Sequence, residues 1–167
     1  MTAAKPEIRR LITKVNFTDA NRGTGQIRYL VKHYVGATGG AEANCKYFYS
    51  TYRGASSHYF VGHDGEIWQC VEDSDIAWHC GASAYKHPEC RNSNSIGVEL
   101  CVLKDANGKW YYTEATKKAA VQLFVYLMDR YGIDADHVLR HYDVTGKTCG
   151  EPDVRKGSRV WSEFKKD

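Results

Sequence analysis

The sequence predicts a single α/β domain, a sandwich of helices around a central β-sheet, on three observations. Strand-like runs are interspersed with one long helical run; no repeat, low-complexity segment or linker interrupts them; and 167 residues suffice for one domain, residues 1–167, with its own core.

The first strand is read in QIRYLVKHYVG, Gln26 to Gly36. Ile27, Tyr29, Val31 and His33 share one side and the other side is nearly as apolar, the pattern of a largely buried strand. GGAEANCKYFYSTYRG predicts a helix from Ala41 to Arg53, with Gly54 just beyond its end, where a left-handed conformation is cheapest for glycine. SHYFVGHDGEIWQCV, Ser57 to Val71, reads as two strands around Asp64-Gly65, a dipeptide suited to a type I′ hairpin because both central residues need positive φ. SIGVELCVL, Ser95 to Leu103, is a further interior strand, and KDANGKWYY carries a second turn at Asn107-Gly108. From Thr113 the period changes. Ala120, Leu123, Phe124, Leu127, Met128 and Tyr131 recur at helical spacing, with Thr113 as N-cap and Gly132 as the stop. VLRHYD predicts a short strand, and the tail from Pro152 reads as basic and irregular, pinned to the body by Trp161 and Phe164.

Composition narrows the function classes. A net charge of +3 with scattered basic residues argues against a nucleic-acid partner and leaves a weak attraction to anionic surfaces. No window approaches the roughly 18 apolar residues of a membrane span, so no membrane insertion is expected. MTAAKPEIRRLITKVNF lacks an apolar stretch of about 7–15 residues behind a positive start, which predicts no secretory signal and synthesis in a cytoplasm. Aromatic residues are abundant, 12 Tyr and 4 Trp, and suit either core packing or a surface that stacks on a ligand. The six cysteines form no CxxC pair and read mostly as reduced, buried, small hydrophobes.

A few residues carry chemistry. Glu99 shares a strand face with Gly97 and Cys101, while Ile96, Val98 and Leu100 occupy the other. Either it lies on an edge strand in solvent, or it is a buried carboxylate that needs a positive partner or a metal. Gly97 favours the second reading, because a missing side chain leaves room for a ligand. His33 stands at a strand-to-loop junction and reads as a core histidine or a ligand. His141 and Cys149, in HYDVTGKTC, can both reach one tetrahedral ion; the other reading is a surface histidine beside Asp143 and a buried thiol. A His/His/Cys set with one open position is a catalytic zinc arrangement. Lys147 then has a task, since an ammonium aimed at a developing oxyanion favours the transition state over the ground state.

In VKHYVGATG, SSHYFVGHDGEIWQCV, IAWHCG, NSNSIGVELCV and VLRHYDVTGKTC, in that order, the chain resembles the zinc-dependent N-acetylmuramoyl-L-alanine amidases of the type 2, peptidoglycan-recognition-protein superfamily. It looks most like the catalytic domains of phage or prophage endolysins. The resemblance implies a central mixed β-sheet flanked by helices, and one zinc ion held by His33, His141 and Cys149. It implies Glu99 as general base, Lys147 as oxyanion stabiliser, and His79 and Asn94 as lining of the muropeptide groove. It further implies cleavage of peptidoglycan between the lactyl group of N-acetylmuramic acid and L-alanine, at the wall after release from the cell; a monomer is expected, though the sequence does not fix the oligomeric state. His58 and Tyr59 read as shaping the sheet.

The chain also departs from the pattern. Some branches place a catalytic tyrosine just before the histidine of the hairpin strand, where this sequence has Ser57, so water activation falls to Glu99. Many members follow the ligand cysteine directly with proline, whereas Pro152 comes later here, in CGEPD. Two other readings stand beside the lytic one: a cytoplasmic recycling amidase acting on soluble anhydro-muropeptides, and a peptidoglycan-binding module without activity.

Overall fold

The computed structural model describes residues 2–167. In chain order the elements are β1 (Arg9–Arg10), β2 (Tyr29–Tyr34), α1 (Ala41–Tyr49), β3 (Tyr59–Val61), β4 (Ile67–Gln69), β5 (Ser95–Leu100), β6 (Leu103–Lys104), β7 (Trp110–Tyr111), α2 (Glu114–Tyr131), β8 (Val138–Arg140), α3 (His141–Thr145), α4 (Glu151–Val154) and α5 (Val160–Lys166). Six strands make one sheet in the order β1-β4-β3-β5-β2-β8, while β6 and β7 form a separate hairpin around Asn107-Gly108. Only β3 and β4 pair antiparallel in the large sheet, so it is mixed, with helices on both faces.

Alternation along the central strands assigns the two layers. Leu30, Ile96, Val98, Leu100 and Val138 face Ala120, Leu123, Phe124 and Leu127 of α2, and Trp161 and Phe164 of α5 pack on the same core. On the other face Tyr29 and Val31 meet Cys80, Cys90 and Val144, while Ala41 and Cys45 of α1 pack with Phe60, Cys70 and Cys101. All six cysteines are free, five of them buried and Cys149 half-buried. The loops between β4 and β5 are knitted by buried Arg22, whose guanidinium donates to the carbonyls of Asp73, Asp75 and Ser95 at 2.8–2.9 Å. Among the described residues no helix is long and apolar enough to cross a membrane.

Several expectations need correction. The helix expected to reach Arg53 ends at Tyr49, because donors from the N-terminal segment take its last carbonyls. Thr13 Oγ1 and Asn16 Nδ2 donate to the Phe48 carbonyl and the Lys14 amide to that of Tyr49, so a further turn would gain little for the residues it orders. The hairpin forms, pairing Tyr59 with Gln69 and Val61 with Ile67, but its turn is not type I′. Residues 62–66 span it and only Gly65 takes a positive φ, 84°. The Glu66 carboxylate fills the space a side chain at position 62 would need and accepts the Asp64 amide at 3.0 Å, which closes the turn wide.

At the other end of the chain, the strand read in VLRHYD stops at Arg140 and His141 opens α3. Asp143 accepts the Arg140 amide at 2.9 Å and pairs with its guanidinium at 2.7 Å, capping the new helix. The tail is not irregular: α4 and α5 occupy it, with Pro152 in the first turn of α4, where a missing N–H is harmless. Trp161 and Phe164 pin it as expected, Phe164 lying 5.0 Å from the ring of Phe124.

Helix α2 follows the expectation, with Thr113 accepting the Thr116 amide and Gly132 left-handed at φ 62°. The Thr113 hydroxyl also donates to the His63 carbonyl at 2.6 Å, tying the helix start to the hairpin loop. Thr113→Ala should cost about 1–2 kcal/mol and lower the thermal midpoint by roughly 2–8 °C. An unchanged midpoint in a circular-dichroism melt would show that this cap contributes nothing.

Candidate active site

Parallel pairing assembles the site. The β2–β5 register sets His33 beside Glu99, and the β2–β8 register sets Lys32 beside Arg140, so that His141 follows next to His33. These side chains stand in one row at the carboxyl ends of three adjacent strands, where open α/β sheets hold their ligands. Cys149 reaches the row from the loop between α3 and α4, which Gly146 turns with φ 81°.

The three expected ligand atoms converge within 4.8 Å of one another. His33 Nδ1 lies 3.0 Å from His141 Nδ1 and 3.6 Å from Cys149 Sγ. A tetrahedron with zinc bond lengths of about 2.0 Å to nitrogen and 2.3 Å to sulfur has edges of about 3.3 Å and 3.5 Å, so the donor set fits that ion. A hydrogen-bond chain also fixes the His33 tautomer. Ser95 Oγ donates to the Arg91 carbonyl at 2.6 Å, so it accepts from His79 Nε2 at 3.0 Å, and His79 Nδ1 accepts from His33 Nε2 at 2.9 Å. The His33 Nδ1 lone pair is left facing His141 and Cys149, since a hydrogen bond on one ring nitrogen orients an imidazole to offer the other to a metal.

A cleft of about 410 Å³ opens over the row, lined by His33, Glu99, His141, Lys147 and Cys149 together with Ser57 and the aromatic walls Phe48 and Trp78. Buried side-chain polar atoms without a partner are few among the described residues: Arg22 Nε, Ser57 Oγ and Glu99 Oε2. The last two belong to residues lining this cleft, and burying polar groups unpaired is tolerated where a ligand completes them.

Comparison with known proteins decides the family. Residues 23–152 match the N-acetylmuramoyl-L-alanine amidase family. The chain belongs to that family. A probable N-acetylmuramoyl-L-alanine amidase of Bacillus licheniformis is 35% identical over 151 residues, 84% of this chain and 40% of the relative. The N-acetylmuramoyl-L-alanine amidase CwlL of the same organism is 32% identical, covering 90% of this chain and 45% of the relative. This chain therefore spans less than half the length of these two curated relatives. The solved structure of a mutant endolysin from Bacillus subtilis superposes with a TM-score of 0.73 at 25% identity, covering 96% of this chain and 97% of that one.

Within this amidase fold the expected site residues divide. His33, His141, Cys149, Glu99 and Lys147 line the one cleft. His79 also borders it, and its ring nitrogens are occupied by His33 and Ser95, so that it orients the His33 imidazole. The space left by Gly97 is filled by that same ring: a Cβ there would lie 2.5 Å from His79 Cγ, so the glycine makes room for His79 and not for a ligand. Asn94 lies outside this cleft. It precedes the first residue of β5, about 17 Å along the strand from Glu99, and its side chain closes a turn with the Arg91 amide and the Glu89 carbonyl. His58 is wholly buried, accepting the Gly97 amide at 3.1 Å, as a sheet-shaping residue would. Ser57 Oγ and the His79 to Ser95 chain carry no sequence signal of their own, because each depends on contacts between distant segments.

The electrostatics favour neutral ligands and a strained acid. Burial holds the His33 imidazole well below its ordinary pKa, with His79, His141 and Lys147 adding to the effect. Burial and then Lys147 lower His141 to about 4. Burial, then Glu99, raises the Cys149 thiol to about 12, so its proton leaves at neutral pH only for a strong positive charge. Burial pushes Glu99 up to about 8, against the pull of Lys147. A carboxyl whose folded pKa lies above its unfolded value binds more protons in the folded state, so between the two values stability falls as pH rises. Glu99→Gln should therefore stabilise the metal-free protein at pH 8 by about 4 kcal/mol relative to its effect at pH 4. Parallel denaturation curves for the two proteins across that range would contradict the assignment.

Proposed function

We propose that this chain is a zinc-dependent hydrolase of the amide bond between the lactyl group of N-acetylmuramic acid and the L-alanine of the peptidoglycan stem peptide, working as a wall-lytic enzyme of the endolysin type. The observation that carries the reading is the convergence of His33, His141 and Cys149 beside the unpartnered carboxylate oxygen of Glu99 in one cleft. Membership of the amidase family supports it.

His33, His141 and Cys149 would hold the ion. Zinc in such a site supplies Lewis acidity, lowering the pKa of water to about 7 and polarising a carbonyl. A dication beside Glu99 also favours its ionised form, the state a base requires. Glu99 takes the proton of the attacking water and returns it to the amine nitrogen as the amide C–N bond breaks, leaving a carboxylic acid on the lactyl group and a free amino group on L-alanine. Lys147, exposed at the cleft rim, turns its ammonium to the carbonyl oxygen as negative charge builds there. Phe48 and Trp78 exclude water from that side of the cleft and strengthen these interactions.

Digestion of purified Gram-positive walls, with and without a zinc chelator, tests the reading. New L-alanine amino groups without new reducing sugar ends, abolished by the chelator, are expected. Binding to walls with neither kind of end would point to a module without activity, and cleavage confined to soluble anhydro-muropeptides would point to a recycling enzyme.

Single substitutions separate the roles. Glu99→Ala should keep zinc and wall binding while turnover falls by about 10²–10⁴-fold, and wild-type turnover would remove Glu99 from the mechanism. Cys149→Ser should lose stoichiometric zinc; a fully loaded, active protein would take the cysteine out of the ligand set.

A further inference from the structure

We propose that Asp153 is a positioning residue for the metal centre: from the face of the sheet opposite the cleft it fixes the loop that presents Cys149. The inference rests on the metal-site reading above and names residues that reading does not use.

Strand alternation places the parts. His33 and His141 face the cleft, so the residues before them, Lys32 and Arg140, which are register partners, face the opposite layer. Both reach Asp153. Lys32 Nζ lies 2.5 Å from Asp153 Oδ1, with both side chains at most 2% exposed, and Arg140 Nη1 donates to the Asp153 carbonyl oxygen at 3.4 Å. Tyr112 donates its hydroxyl to Asp153 Oδ2 at 2.6 Å. The Lys32 ammonium is further enclosed by the rings of Tyr112 and Phe164, at 4.4 and 4.9 Å from their centroids.

Asp153 in turn holds the residue next to the ligand cysteine. Its amide donates to the Gly150 carbonyl at 2.6 Å, and its carboxylate lies so close over Gly150 that an added Cβ would sit 3.0 Å from Oδ2. Gly150 is left-handed, φ 78°, as this turn from Cys149 into α4 requires. A continuous path of short contacts therefore runs from His33 through Lys32, Asp153 and Gly150 to Cys149, with Arg140 joining it beside His141. A buried ion pair is weak evidence for stability, since apolar residues of similar volume often serve the fold as well. What the directed bonds on Asp153 supply is one position for the Cys149 loop relative to both histidines.

That distinction defines the test. Lys32→Met/Asp153→Leu replaces the pair with apolar side chains of similar size, and the double variant is expected to fold with a wild-type circular-dichroism spectrum. Its zinc dissociation constant, measured against a chelating dye, should weaken by about 10–100-fold. The thiolate-to-metal charge-transfer absorption of its cobalt-substituted form should fall, which a purely structural pair would not cause. A folded variant with zinc affinity within about twofold of wild type and a full thiolate band overturns the proposal.

If the double variant does not fold, Tyr112→Phe, which removes one hydrogen bond from Asp153 and keeps the packing, gives the same readout. It should weaken zinc by about threefold, and unchanged affinity overturns the proposal. A wild-type protein that binds no zinc overturns it together with the metal-site reading. Wild-type binding left intact by the substitutions overturns this inference alone.

Discussion

The parallel register of β5, β2 and β8 is the constraint on which the rest of the molecule depends. It alone sets Glu99 beside His33 and brings His141 to the end of the row, from segments more than 40 residues apart in sequence. Parallel strands need crossover connections, and here these are α1 with the β3–β4 hairpin between β2 and β5, and α2 between β5 and β8. Each crossover also covers a face of the sheet, so the elements that make the register attainable are those that bury it.

Within that frame the site holds groups at odds with their surroundings. A carboxyl raised to about 8, a thiol raised to about 12 and two imidazoles held neutral would each be more at ease in water. The apolar core beneath α2 compensates, since each fully buried aliphatic or aromatic side chain contributes about 1.5–3 kcal/mol. The strain has a direction. Adding a dication among His33, His141 and Cys149 favours the thiolate and the carboxylate while leaving the imidazoles neutral, so one binding event relieves the whole set.

How much of this can be read from the chain depends on whether the information is local. The span of α2 is legible because its cap, its apolar stripe and its terminal glycine lie within one segment. The fold class follows from the alternation of periods. The end of α1 is not legible, since it is decided by Thr13 and Asn16 some 30 residues earlier. The Asp64-Gly65 turn misleads because the Glu66 side chain changes its geometry, and no dipeptide preference records that contact. Among the residues that line the cleft, His33, His141, Cys149, Glu99 and Lys147 stand out through their residue types and order. Gly97 marks a missing side chain, but the occupant of the space is the ring of His79, which no local pattern reveals. Asn94 lies apart from the cleft because proximity in sequence to Glu99 becomes distance along an extended strand.

The alternation that divides His33 from Lys32 and His141 from Arg140 also explains why the register admits no slip. Shifting β2 by one residue would turn Lys32 into the cleft and send His33 into the layer where Tyr112, Asp153 and Phe164 enclose an ammonium. The cleft would then hold a lysine near Lys147 in place of a neutral nitrogen donor, and Asp153 would lose its counter-charge in a dry interior, a combination far costlier than losing apolar contacts alone. The two faces of β2 thus specify each other: the charge pair behind the sheet penalises any register in which the donor row in front is not formed. Residues that take no part in the chemistry in this way select the single strand alignment in which the chemistry can be assembled.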